Sequence, residues 1–307
     1  MILYSAGLSA LTQNQLNTLA VQAQTQIQGQ LPNYIPLLAQ ANRDWFAVQV
    51  RDNSSRILSV GDVTLSFPLM SAIKPFVLLC LLEQLGAEVV FSGVGMEPSD
   101  EPYHSLKQLQ ADRGKPRNPM LNSGAIALAS LLPGKDALSR CETLCQWLNQ
   151  RGKCHLFLDE AMLSSVRSLP NERNWAIANL LAESGYLDNV ETALDTYNYI
   201  CCLSGTVRDL ACLAQLLVQN SSSTLPENRR TVNALMMTCG LYQASSRFAV
   251  EVGVPTKSGV SGVVVSVIPS QGAIACYSPV LDGAGNSKAG LFLVQQLARA
   301  FDLSVFR

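Results

Sequence analysis

Phe67-Pro68-Leu69-Met70-Ser71-Ala72-Ile73-Lys74, followed by the apolar run Pro75 to Leu82, is the stretch on which the reading of this chain turns. The run is helical in character, which places Ser71 at a helix N-terminus and Lys74 one turn on. Residues at i and i+3 share a helix face. A lysine held there and partly desolvated can lose its proton and accept that of the serine, while the helix dipole stabilises charge beside it. Serine and lysine in this S-x-x-K spacing are candidates for nucleophile and base of an acyl-transfer enzyme. The motif is short, and a surface lysine beside an N-capping serine has the same spelling.

Outward from this stretch the hydrophobic period changes twice. On the N-terminal side, Leu16, Leu19, Ala20, Ala23 and Ile27 recur at helical spacing within Leu11 to Gln28. Trp45 to Val50 and Arg56 to Val60, joined by the polar turn Asp52 to Ser55, read as a β-hairpin. On the C-terminal side, Pro75 to Leu85, Ser123 to Leu132, Glu142 to Gln150, Asn174 to Gly185 and Thr206 to Gln219 read as helices, and Ser221 to Pro226 is the clearest polar break. Beyond Tyr242, the β-branched runs Phe248 to Val254, Gly262 to Ile268 and Ala273 to Tyr277 read as strands, with Pro269 to Gly272 as a tight turn. Asn286 to Phe301 closes the chain as a helix.

Strands at both ends with helices between them predict an α/β (α+β) fold built on one mostly antiparallel sheet. Residues 1–74 and 240–307 form a discontinuous sheet-plus-helix domain, and residues 75–239 an inserted helical domain. The active site is expected at their interface.

Composition narrows the function. The 307 residues are 48% hydrophobic and 15% charged, with a net charge of −1, which suits a globular chain and leaves no basic footprint for nucleic acid. The apolar run Pro75 to Leu82 is far shorter than the ~20 residues of a spanning helix, so no membrane association is expected. Met1 to Gln13 lacks the basic and apolar regions of a signal peptide, and a cytoplasmic location is expected. The nine cysteines include no C-x-x-C pair and read as reduced core thiols. With only two histidines, His104 and His155, neither in an H-x-x-x-H or H-x-H arrangement, no metal and no cofactor are expected. The partner is a small molecule.

A second motif lies late in the chain. Lys257-Ser258-Gly259-Val260 precedes a β-rich stretch, where an edge strand can offer a backbone N–H to an oxyanion and the glycine permits close backbone approach. S-x-x-K enzymes often carry a K-[ST]-G triplet late in the chain, and the two motifs in this order say more than either alone. Gly283-Ala284-Gly285 reads as a turn into the last helix rather than a phosphate loop.

Asn33 to Pro36, Ser71 to Pro75, Glu97-Pro98-Ser99, Asn118 to Ile126 (NPMLNSGAI), Arg173 to Ile177, Leu194 to Tyr197, Cys239 to Tyr242, Lys257 to Val260 and Gly285-Asn286-Ser287 resemble, in order and spacing, the signature blocks of the serine-dependent glutaminases. The resemblance covers nearly the whole chain. It implies a β-lactamase-like fold, hydrolysis of glutamine to glutamate and ammonia, and a homodimer or homotetramer. It further implies Ser71 as nucleophile, Lys74 as base, and Tyr34 and Tyr242 lining the site, Tyr242 relaying a proton to the leaving ammonia. The N–H groups of Ser71 and Val260 would form the oxyanion hole, and Asn122, Asn174 and Tyr197 would hold the substrate.

Two positions depart from the family pattern. Met70 stands where the family usually has Gln. Arg167 stands where it places a Glu that meets the substrate's ammonium group, seven residues before Asn174. A cation there is expected to repel that group unless Glu160 or Glu172 fills the vacancy from an irregular stretch, Ser164 to Glu172. The two other readings left open are a serine amidase or esterase acting on another small amide, and a glutaminase-like binding protein without catalysis.

Overall fold

The structure, a computed structural model, describes residues 7–218 and 224–307. Among the described residues eight strands form: β1 (Ala47–Asp52), β2 (Ile57–Gly61), β3 (Phe67–Pro68), β4 (Phe157–Leu158), β5 (Leu203–Gly205), β6 (Thr256–Ser258), β7 (Val263–Ile268) and β8 (Gly272–Tyr277). Five of them make a wholly antiparallel sheet in the order β2-β1-β8-β7-β6. The hairpin read from residues 45–60 is therefore joined to the C-terminal strands through β1 and β8, with Val48 opposite Cys276 and Val50 opposite Ile274.

Alternation explains why the sheet is buried on both faces. Val48, Val50, Val264, Ile268, Ile274 and Cys276 point to one side, where Leu16, Ala20 and Ala23 of the Gln13–Gln24 helix and Leu293, Val294, Leu297 and Phe301 of the Lys288–Phe301 helix cover them. Ala47, Val263, Val265, Val267, Ala273, Ala275 and Tyr277 point to the other side, into the larger core of the helical region. A side-chain period of two sends neighbours to opposite faces, so one strand serves two cores.

On that second side, the segment between the hairpin and β6 is mostly helical. The Val207–Ala214 helix packs on the sheet itself, against β1, β7 and β8. Residues 70–93 form the stretch among the described residues that is long and apolar enough to cross a membrane. Here it is a core helix instead, with Phe76, Leu78, Leu79 and Leu81 fully buried and a break at Gly86, whose φ is +81°.

Several expected elements form in altered shape. Phe248 to Val254 is no strand: Ser245–Glu251 is helical, and the strand begins only after Pro255, at Thr256. Its valines do not share one face: Val250 is 88% exposed, while Val252 and Val254 are buried in the same core as the Lys288–Phe301 helix. Arg167 is not in an irregular stretch but ends the Glu160–Arg167 helix, which Asp159 caps by accepting from Met162 N–H at 2.9 Å. A small sheet in the order β3-β5-β4 had no sequence signal, because its strands are two or three residues long. Residues Met1 to Ala6, Gln219 and Ser221 to Ser223, on which parts of the leader, helix and polar-break readings fall, lie outside the described residues.

Candidate active site

Ser71 lies in a 3-10 turn, Met70–Ile73, that leads directly into the Lys74–Gly93 helix. The preceding residue, Met70, takes a left-handed backbone (φ +46°), a strained conformation for a side chain of this size. Two features hold that turn. Leu69 N–H donates to the Leu203 carbonyl at 2.8 Å, tying it to β5, and Ser261 Oγ donates to the Pro68 carbonyl at 2.7 Å. Behind it sits Gly259, where a Cβ would come within 2.6 Å of the Leu69 carbonyl oxygen. The glycine of the K-S-G triplet is thus required by the chain's own backbone: it lets the triplet lie directly against the serine turn, with Ala72 N also close by at 3.3 Å from such a Cβ.

Lys74 is buried, and its Nζ donates to the Met120 carbonyl at 3.0 Å and to Asn122 Oδ1 at 2.9 Å. The NPMLNSGAI block builds both acceptors. Asn118 Oδ1 accepts from Met120 and Leu121 N–H, and its Nδ2 donates to the Glu97 carbonyl, which folds the turn that exposes the Met120 carbonyl. Gly124 is needed because a Cβ there would strike the Asn118 carbonyl. Asn122 then opens the Asn122–Ser130 helix, receives Tyr197 Oη–H on Oδ1 at 3.0 Å and donates from Nδ2 to Asn174 Oδ1 at 3.0 Å. Four of the expected residues therefore form one hydrogen-bonded chain: Lys74, Asn122, Asn174 and Tyr197.

Among the described residues no carboxylate pairs with Lys74, and burial pulls its pKa down to about 8, with the nearby Cys201 thiol opposing. Desolvation of this kind disfavours the ammonium. A second lysine behaves likewise. Lys257 is fully buried, donates to the Ser258 carbonyl at 2.7 Å and lies 4.6 Å from the centre of the Tyr242 ring. Burial, then the charge of Lys74, holds it well below the ordinary lysine value. Sequence reading used this triplet for its backbone and missed its side chain.

Tyr242 is buried and also left-handed (φ +57°), and among the described residues its hydroxyl has no hydrogen-bond partner. Burial raises its pKa, while the Ser71 and Ser258 hydroxyls beside it pull the other way. The proximity is close enough to act electrostatically but not aligned as a hydrogen bond. The three late blocks converge on this tyrosine: Ser258 Oγ donates to Asn286 Oδ1 at 2.6 Å, and Ser258 N–H reaches the Gly240 carbonyl at 3.4 Å. Gly283 to Gly285 is a turn as expected, with Asp282 Oδ1 accepting from Ala284 and Asn286 N–H.

Tyr34 is 46% exposed, and its hydroxyl lies 3.4 Å from that of Tyr103, a residue the sequence reading passed over. Arg167 is turned elsewhere. Its Nε and Nη2 both donate to Asp195 Oδ1, at 3.2 and 2.6 Å, and its guanidinium lies 4.7 Å from the Tyr199 ring centre. Arg167 and Asp195, together with Glu172, Trp175 and Asn198, line a cavity of about 960 Å³ that none of the six residues Ser71, Lys74, Asn122, Asn174, Tyr197 and Tyr242 lines. The expected bare cation is matched by a carboxylate. Among the described residues, neither Glu160 nor Glu172 bonds to Asn122, Asn174 or Tyr197.

Comparison with known proteins places this architecture. The family model described as Glutaminase matches residues 29–306. A glutaminase from Synechocystis is 43% identical over 296 residues, covering 95% of this chain and 90% of that protein. A solved structure described as the probable glutaminase ybaS superposes with a TM-score of 0.89 at 32% identity, covering 97% of this chain and all of that one. The probable glutaminase from Bacillus subtilis, solved in complex with 6-diazo-5-oxo-L-norleucine, gives a TM-score of 0.87 at 29% identity, over 96% and 97% of the two chains. With its matched blocks assembled around one buried lysine and its antiparallel sheet shared with these structures, the chain belongs to the glutaminase family.

Proposed function

We propose that this chain hydrolyses the side-chain amide of glutamine to glutamate and ammonia through an acyl-enzyme on Ser71. The observation that carries the mechanism is Lys74: buried, without a carboxylate partner, near pKa 8 and one turn from the serine. Its neutral amine takes the Ser71 proton as Oγ attacks the amide carbon. The N–H groups of Ser71 and Val260 receive the oxyanion. Collapse breaks the C–N bond; Tyr242 gives its proton to the departing nitrogen and recovers one from the Lys74 ammonium. Water then attacks the ester with Lys74 again as base, releasing glutamate and restoring the Ser71 hydroxyl.

The hydrogen bonds already made within the cluster support Asn122, Asn174 and Tyr197 as the groups that recognise substrate. One Asn122 Nδ2 hydrogen is taken by Asn174 and its oxygen by Lys74 and Tyr197, so the second amide hydrogen is what it offers substrate. Asn174 has its Nδ2 hydrogens to offer. Tyr197 spends its hydrogen on Asn122, so its oxygen offers an acceptor suited to an ammonium group. Burial supports a cytoplasmic location, since eight of the nine free thiols are inside the fold. A homodimer or homotetramer completes the proposal, and light scattering in solution decides it.

Ammonia release from glutamine and asparagine, repeated with Ser71→Ala, tests the reaction. Ammonia from glutamine that vanishes in the variant is expected. Equal ammonia from wild type and variant contradicts the assignment.

A further inference from the structure

Tyr103 belongs to none of the groups that react, yet it touches Tyr34, Tyr242 and the start of the helix that Asn122 opens. It stands half-buried in the loop before the Leu106–Ala111 helix. Its hydroxyl meets that of Tyr34 at 3.4 Å. Its ring lies 4.7 Å from the Tyr242 ring at a 39° tilt, within the range of favourable aromatic pairs. Its backbone carbonyl accepts from Asn122 N–H at 3.0 Å, so the residue that anchors Lys74 hangs on the same loop position.

The loop is fixed from a third side. His104 sets its ring edge-on to Tyr103, with centroids 4.7 Å apart at 75°. Arg173, which directly precedes Asn174, donates from Nη1 to His104 Nε2 at 3.2 Å. An arginine can only donate, so this nitrogen is the unprotonated one. Through Tyr103 and His104 the loop therefore joins the two exposed entries to the cluster, Tyr34 and the Arg173-Asn174 step, to its two buried members, Asn122 and Tyr242.

We propose that Tyr103 is a positioning residue for glutamine hydrolysis: its hydroxyl holds Tyr34 over the substrate, and its ring holds Tyr242 against Ser71. The two halves of the side chain do separable work. Removing the hydroxyl frees Tyr34, which lines the mouth and acts on binding. Removing the ring as well unseats Tyr242, which acts on the chemical step. Because both Tyr34 and Tyr103 contribute one hydroxyl to one contact, the loss of either is equivalent to the loss of both.

Steady-state kinetics with glutamine test this through Tyr103→Phe, Tyr34→Phe, the double variant and Tyr103→Leu. Tyr103→Phe is expected to raise KM about fivefold with kcat within about twofold of wild type, the scale of one lost neutral hydrogen bond. Tyr34→Phe should give the same shift, and the double variant no more than either single one. Tyr103→Leu should add a fall in kcat of about tenfold. Should Tyr103→Leu fail to fold, the phenylalanine cycle alone decides. A Tyr103→Phe enzyme whose KM stays within twofold of wild type, or a double variant whose shift is the product of the single ones, overturns the proposal. The inference rests on the glutamine-hydrolysis reading: a wild-type enzyme that releases no ammonia fails that reading, whereas an active wild type with an unaltered Tyr103→Phe variant fails only the inference.

Discussion

Lys74 and Arg167 are two cations of the same helical region, and the fold treats them in opposite ways. Lys74 is buried with a carbonyl and an amide oxygen for company and no counter-ion. Arg167 is 41% exposed, forked onto Asp195 and laid over Tyr199. Burial pulls the first down to about pKa 8, whereas the hydrogen bonds that the second donates to Asp195 hold it above its ordinary value. The contrast separates two jobs. The lysine proposed to exchange a proton is kept dry and without a carboxylate among the described residues, and an arginine at the rim keeps its charge and has it balanced locally.

The buried side of this comparison gives the largest expected effects. Ser71→Ala or Lys74→Met should lower kcat by at least about 10³-fold, read as ammonia release, while glutamine still shifts the melting temperature of either variant. Gly259→Ala forces a Cβ to within 2.6 Å of the Leu69 carbonyl and moves the serine turn. Displacements of that size cost roughly 10²-fold in rate, and kcat of the folded variant should fall accordingly.

Burial of Lys74 also predicts a stability signature with a definite sign. Its folded-state pKa is lowered, so between about pH 8 and the unfolded value near ~10.4 the unfolded chain binds the extra proton. Stability from this group therefore rises with pH across that window, by at most about 1.4 kcal/mol per unit, and is lowest below it. Lys74→Met lacks the effect. The stability of the variant relative to wild type, followed by chemical denaturation, should decline from pH 8 to pH 10; a constant difference breaks the assignment of a suppressed charge.

At the rim the effects are smaller. Asp195→Asn leaves Arg167 unbalanced, and KM for glutamine should rise by less than about fivefold at low salt and recover as salt screens the charge, since exposed pairs contribute at most about 1 kcal/mol. An unchanged KM at low salt sets Arg167 outside the reach of the substrate.

Which parts were legible in the sequence follows the same division. Ser71, Lys74, Asn122, Asn174 and Tyr197 stand in blocks whose spacing is dictated by backbone geometry, such as the Asn118 turn and Gly124 against the Asn118 carbonyl. The central sheet was readable because β1, β7 and β8 are long and β-branched. Tyr103 was not, because a loop residue whose partners lie 69 and 139 positions away carries no period, and only the fold brings Tyr34 and Tyr242 to it. The side chain of Lys257 was hidden behind its own motif. Arg167 was placed correctly in the sequence but given the wrong surroundings: Asp195 lies 28 residues on, and an ion pair between two helices has no local signature. Phe248 to Val254 misled because its β-branched valines sit on a short helix and the turn after it, with Gly253 and Pro255, rather than on a strand.

That the neutral amine of the buried Lys74 activates Ser71 is tested most directly by the pH dependence of kcat/KM for glutamine, because this ratio reports the ionisation of the free enzyme. The account predicts a rate that rises with pH through an apparent pKa of about 8, the pH at which the folded lysine gives up its proton. A profile flat from pH 6 to pH 9, or one that rises only near the ordinary lysine value of ~10.4, contradicts it.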